Sequence, residues 1–257
     1  MGNKQSSFVV DFKEVCQRYE KLIRYVNANK DLTSDTPMLK AAIRIYLKFE
    51  LKPEILQLET SAVAWVWCVH KLHPLKYATY LQNPVLYRTG QPLKDMVNFL
   101  KNACIRQKSF CEKIIPQLDS FNLYVWKHEY KHFLGWCKQY PNKTIVPSLH
   151  EDFIWHSHMQ DHQGYRADSF KKLNFILDHN DDIPEELLIK YKKEFMCLQK
   201  GWKYEENKTS SSCITILPIP VLIGSSCGSG CGTGTSTCGS GCGSSCGSSC
   251  GGGCGGC

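Results

Sequence analysis

From Phe12, apolar side chains at Val15, Cys16, Tyr19, Ile23 and Val26 return every three or four positions with lysines and arginines between them, which predicts a first helix over about 10–28. Thr36 before Pro37 supplies an N-cap and a first-turn residue, and Leu39, Ile43, Tyr46 and Leu47 continue an amphipathic helix that Pro53 closes. Thr60 or Ser61 starts the next helix, which Pro74 ends or restarts. Residues 82–91 read as a turn, and Pro92 opens a helix through Met96, Phe99, Leu100 and Cys104. Trp126, Tyr130, Phe133, Leu134 and Cys137 mark one face of a helix around 121–138. Asp182 is the expected cap of a last helix, with Pro184, Glu185 and Glu186 in its first turn, running towards Gly201. No segment alternates long enough for a strand. The pattern predicts an all-α, multi-helix bundle of seven or eight helices.

One phrase occurs twice within this pattern. Trp67-Cys68-Val69-His70 leads to Pro74 and Tyr77, and Trp155-His156-Ser157-His158 leads to His162 and Tyr165, an offset of 155 − 67 = 88 residues. Pro53 and Pro141 each stand fourteen residues before the Trp. Shared spacing across four residue types is the mark of a duplicated supersecondary unit. The expected organisation is an arm over 1–8, a helical domain over 9–206 with repeat units at 37–81 and 121–169, and a tail over 207–257.

Composition separates that tail from the rest. Residues 209–257 carry no charge and hold 14 of the 19 glycines and nine of the 15 cysteines, a makeup that cannot bury enough apolar surface to order itself. The net charge of +7 therefore belongs to residues 1–208, where it is spread over the chain with no accompanying nucleic-acid module. A solvated, mildly basic surface is the better reading than a nucleic-acid patch, and it favours anionic lipid. The amino terminus lacks an apolar signal core, so the expected setting is cytoplasmic with reduced thiols. Met1-Gly2-Asn3-Lys4-Gln5-Ser6 fits the myristoylation pattern at Gly2, which points to the cytoplasmic face of a membrane, although one acyl chain needs a second attachment signal.

The candidate chemistry lies in histidines and cysteines. His128-Glu129-Tyr130-Lys131-His132 has zinc-protease spacing. However, Lys131 and Lys138 depart from that pattern, and both histidines point about 160–220° away from the apolar stripe, which makes them a solvated face. In the repeated phrase His70, His158 and His162 share faces with their tryptophans, and Trp67, His70, Tyr77, Trp155, His158, His162, Tyr165 and Asp168 form a cluster for packing or for a ligand. His158 and His162, four apart, could reach one metal with Asp161, Tyr165 or Asp168, whereas His156 and His158 diverge by about 200° on a helix. In the tail Cys227, Cys231, Cys254 and Cys257 are candidate thiolate ligands, although only the last two have a two-residue gap. No cofactor is called for by these residues, and zinc or another thiophilic metal is the ion they would take.

Trp67-x-x-His70-x-Leu72-x-Pro74-x-x-Tyr77, Asp152-Phe153-Ile154-Trp155-His156-Ser157-His158 through Tyr165 and Asp168, and Cys197-Leu198-Gln199-Lys200-Gly201-Trp202-Lys203-Tyr204 resemble the glycine-rich domain-containing protein family over about 40–205. The resemblance implies a helical domain followed by glycine-rich sequence and carries no established catalytic activity. Gln160 and His162 depart from it, standing where Leu and Pro are expected. The expected function is a non-catalytic interaction or scaffold protein, bound to a membrane through its amino-terminal lipid and to a protein partner. The alternatives are a metal-dependent enzyme using His158 and His162, or metal binding by the tail thiols.

Overall fold

The computed structural model of the chain describes residues 7–48, 61–204 and 216–218, with only the backbone described for 202–204 and 216–218. Among these residues the fold is all-α, and nine α-helices follow one another: α1 Phe12–Ala28, α2 Pro37–Lys48, α3 Ala62–Lys71, α4 Pro74–Gln82, α5 Gly90–Leu118, α6 Leu123–Gln139, α7 Leu149–Gln160, α8 His162–Leu173 and α9 Glu185–Gln199. Pro74 restarts the chain as the first residue of α4. Pro184, not Asp182, occupies the N-cap position of α9 and contributes no side-chain cap there, since Asp182 lies outside the helix. Trp202–Tyr204 pairs antiparallel with Ile216–Pro218, so part of the segment expected to lack order makes a three-residue ladder. The Gly2, Pro53 and tail-cysteine expectations lie outside the described residues.

The helices form where sequence supplies both a stripe and a cap. Asp11 accepts from the Lys13 and Glu14 amides at the start of α1, and Ser148 with Glu151 makes a reciprocal capping box on α7. α1 turns Phe12, Val15, Cys16, Tyr19, Leu22, Ile23 and Val26 into the core, where it meets α3, α5 and α7. α5, 29 residues long, also packs on α2 and so runs alongside both repeats. Near its end the arm before α1 crosses α8 closely. A Cβ at Gly164 would stand 2.5 Å from Val10 Cγ2 and 2.7 Å from the Asp161 carboxylate, so glycine is required by the approach of the two segments.

The duplication is three-dimensional. In the first copy, Tyr46 on α2 meets His70 Nδ1 at 2.7 Å and the Trp67 indole donates to the Tyr77 hydroxyl at 2.8 Å. In the second, Tyr130 on α6 meets His158 Nδ1 at 3.0 Å and the Trp155 indole donates to the Tyr165 hydroxyl at 2.9 Å. Helices α2–α3–α4 therefore correspond to α6–α7–α8. Each Trp–Tyr bond ties a helix to the one that follows, and each Tyr–His bond ties it to the one before.

Candidate metal site

Within each copy the phrase closes on itself. His158 has both ring nitrogens engaged, Nδ1 by Tyr130 and Nε2 by Asp168 at 3.2 Å, and it is buried. Asp168 is itself buried and also accepts from the backbone amides of Val9 at 2.9 Å and Val10 at 3.3 Å. His158 thus has no nitrogen left over to share a metal with His162. His162 is half-buried and turns towards the first copy, its ring 4.7 Å edge-on from Tyr77. His70 is buried against Tyr46, Tyr77 and Tyr80, with no partner for Nε2 among the described residues. His128 and His132 lie exposed on α6, 3.4 Å apart, as a polar face.

A different set of donors converges one helical face away. On α7, Asp152 and His156 are four residues apart and so lie one above the other. His156 Nε2 is 3.2 Å from Asp152 Oδ1 and 3.0 Å from His179 Nε2, and His179 Nε2 is 3.8 Å from the same Asp152 oxygen. Ligand atoms at about 2.0–2.1 Å from a tetrahedral ion stand about 3.3 Å from one another, which is the spacing these three atoms have. His156 and His179 are buried, and Asp152 Oδ1 is shielded from solvent yet has no hydrogen-bond partner of acceptable geometry among the described residues. Burial drives the His156 pKa down, only partly offset by Asp152, so its ring is held neutral as a ligand must be. Burial pushes the Asp152 carboxyl up, but the neighbouring His156 and His179 more than reverse this and hold it well below the usual carboxylate range.

The third donor comes from the segment after α8. Asn174, in the left-handed region at φ 70°, ends that helix and redirects the chain. The turn is then fixed at three points around His179. The Tyr165 hydroxyl, which accepts from Trp155, donates to the Leu177 carbonyl. Leu75 N at the start of α4 donates to Asp178, and Arg106 and Gln107 of α5 donate to Asp181 at 2.8–3.0 Å. Tyr19 meets His156 Nδ1 at 3.0 Å, supplying the outer partner that orients a ligating imidazole. The donors line a cleft of about 530 Å³ whose walls include Phe110, Trp155, Lys113 and Lys192.

The sequence reading placed His156 in the phrase only as a partner of His158, and it did not single out Asp152 as a donor or His179 at all. An i, i+4 Asp–His pair on α7 is the signal that could have found two of the three. The six described cysteines are buried and free, and burial pushes the thiols of Cys16, Cys68, Cys111 and Cys137 up to about 12, so at neutral pH they act as apolar packing groups. No helix among the described residues is long and apolar enough to cross a membrane. Comparison of the chain with protein-family models, with curated proteins and with solved structures gives no match.

Proposed function

We propose that this is a metal-dependent domain in which Asp152, His156 and His179 hold a divalent first-row ion of the zinc or iron(II) kind. The observation that carries the reading is the convergence of two imidazole nitrogens on one orphaned, shielded carboxylate oxygen, at 3.0 to 3.8 Å. Two histidines and one carboxylate leave coordination positions for water or substrate, the arrangement of reactive rather than purely structural ions. A bound ion there would polarise a ligand or acidify a water. The chain's own part is to hold the donors, to keep the His156 ring neutral and to wall the cleft with Phe110 and Trp155.

Cobalt(II) titration of the full-length protein tests this. One equivalent should bind with visible bands of nitrogen and oxygen coordination and without the thiolate charge-transfer bands that tail cysteines would give. His179→Ala and Asp152→Ala should each lower affinity at least a hundredfold. Equal uptake by wild type and His179→Ala would remove the proposal and leave the tail thiols as the binder.

A second reading, peripheral attachment to an anionic membrane, is favoured by the lysines around the arm. Lys172 lies 4.0 Å above the Phe8 ring and Lys127 lies 4.5 Å above that of Phe12. Burial lowers both amines; Lys131 lowers Lys127 further, and Lys171, Lys131 and Lys127 lower Lys172 further against the opposing charge of Asp168. Such a patch could be the second signal that an acyl chain on Gly2 needs. Sedimentation with phosphatidylserine vesicles should fall several-fold when Lys127 and Lys131 are both changed to Gln. Retention equal to wild type would dismiss the patch, and a mass spectrum without an acyl adduct on Gly2 would dismiss the lipid.

A further inference from the structure

The same helical face that presents the donors in the second copy has a counterpart in the first. At an offset of 88, Asp152, Trp155, His156 and Met159 on α7 correspond to Ala64, Trp67, Cys68 and Lys71 on α3. These four first-copy residues also line a cavity, the larger of the two at about 830 Å³, completed by α1 and by Tyr77, Gln160, Asp161 and His162. Its contents differ from those of the metal cleft. Where the second copy has the apolar Met159, the first has an amine that is 5% exposed.

Lys71 is a buried cation without an acid. Its Nζ donates to the Gln160 carbonyl at 2.8 Å and lies 3.6 Å over the Trp67 ring, and no carboxylate among the described residues stands within ion-pair distance. A fully buried lysine is rare unless paired. The acids that share the lining are otherwise engaged: Asp11 caps α1, Asp161 caps α8, and Glu14 pairs with Arg18 at 2.5 Å. Burial lowers the Lys71 amine to about 8, so it still carries its charge at neutral pH. Beside it His162 Nδ1 is shielded and has no partner among the described residues, and burial holds that ring neutral, at about 4. Gln160 and His162, which stand where the first copy has Leu72 and Pro74, both face this cavity.

We propose that the cavity between the two copies binds a small organic anion with a flat apolar body, an aromatic carboxylate in class, whose acid group takes Lys71 as counter-ion. His162 Nδ1 supplies a second polar contact, and Trp67, Tyr77 and Val15 wall the body of the ligand. A volume of about 830 Å³ suits such a molecule.

Naphthalene-2-carboxylate and its neutral carboxamide are the probes, titrated into the full-length protein and followed by calorimetry and by the Trp67 indole N–H resonance. The acid should bind one to one, saturably and at least tenfold more tightly than the amide, with a shift at Trp67. Lys71→Met should lose at least tenfold in affinity for the acid and not for the amide, and Lys71→Arg should recover most of it. Met is the residue the second copy uses at this position, which favours a folded variant, and an unchanged far-UV spectrum checks it. If Lys71→Met did not fold, the acid-to-amide ratio in wild type would still decide. Equal binding of acid and amide, an unchanged affinity in Lys71→Met, or no shift at Trp67 would overturn the proposal.

Discussion

His70 and His158 occupy the same place in two copies and differ in what faces the second nitrogen. Asp168 answers His158, whereas the equivalent position in the first copy is Tyr80, whose ring packs on His70 and leaves Nε2 without a partner. The consequence is a difference in proton affinity. Burial, reinforced by the charges of His73, Lys76 and His162, drives His70 down to about 3. Because the unfolded chain takes up that proton near the ordinary value of about 6.5, the stability linked to His70 is complete above 6.5 and is lost as pH falls from there towards 3. The limiting slope is about 1.4 kcal/mol per pH unit. His70→Phe should therefore lose about 2 kcal/mol less than wild type between pH 7 and pH 5, measured by urea unfolding at both values. The orphaned Tyr46 hydroxyl weakens the variant equally at each pH, so the difference isolates the titration. A wild-type-sized loss in the variant would show that His70 does not titrate with folding.

At the scale of elements, the Trp–Tyr bond does different work in the two copies. In the first, the described partner of the Tyr77 hydroxyl is the Trp67 indole. In the second, Tyr165 passes the bond on to Leu177 and so fixes the turn that delivers His179. Tyr165→Phe should weaken cobalt(II) binding by about ten- to a hundredfold, the usual cost of removing an outer partner at a metal site. Tyr77→Phe, which breaks the corresponding bond away from the donors, should leave that affinity unchanged while lowering the melting temperature to a similar degree. If both variants lost affinity alike, the turn would owe its position to Asp178 and Asp181 rather than to Tyr165.

Across the whole molecule, what could be read from sequence followed periodicity. The stripe at Val15, Cys16, Tyr19, Ile23 and Val26 defined α1, and the repeated phrase falls on α3–α4 and on α7–α8. The length of α5 was not legible, because Gly90, which begins the helix, fell in the stretch read as a turn, and Pro116 sits in its last turn without ending it. The donors were hidden for a related reason. α7 is buried on every side from Phe153 to Met159, so no polar stripe marks where ligands point, and His179 lies in a turn that has no period at all. Tertiary anchoring at Leu177, Asp178 and Asp181, invisible in the linear order, decides its place. The grip of Asp168 on the Val9 and Val10 amides spans 159 and 158 residues of sequence. A ribosome working at about 5–20 residues per second needs roughly ten to thirty seconds to make that stretch. During that interval the newborn α1 has only α3 and α5 to lie against, and its first turn can be locked only after the second copy emerges. The first turn of α1 is thus made long before it is locked, and it is a segment in need of a chaperone while synthesis proceeds.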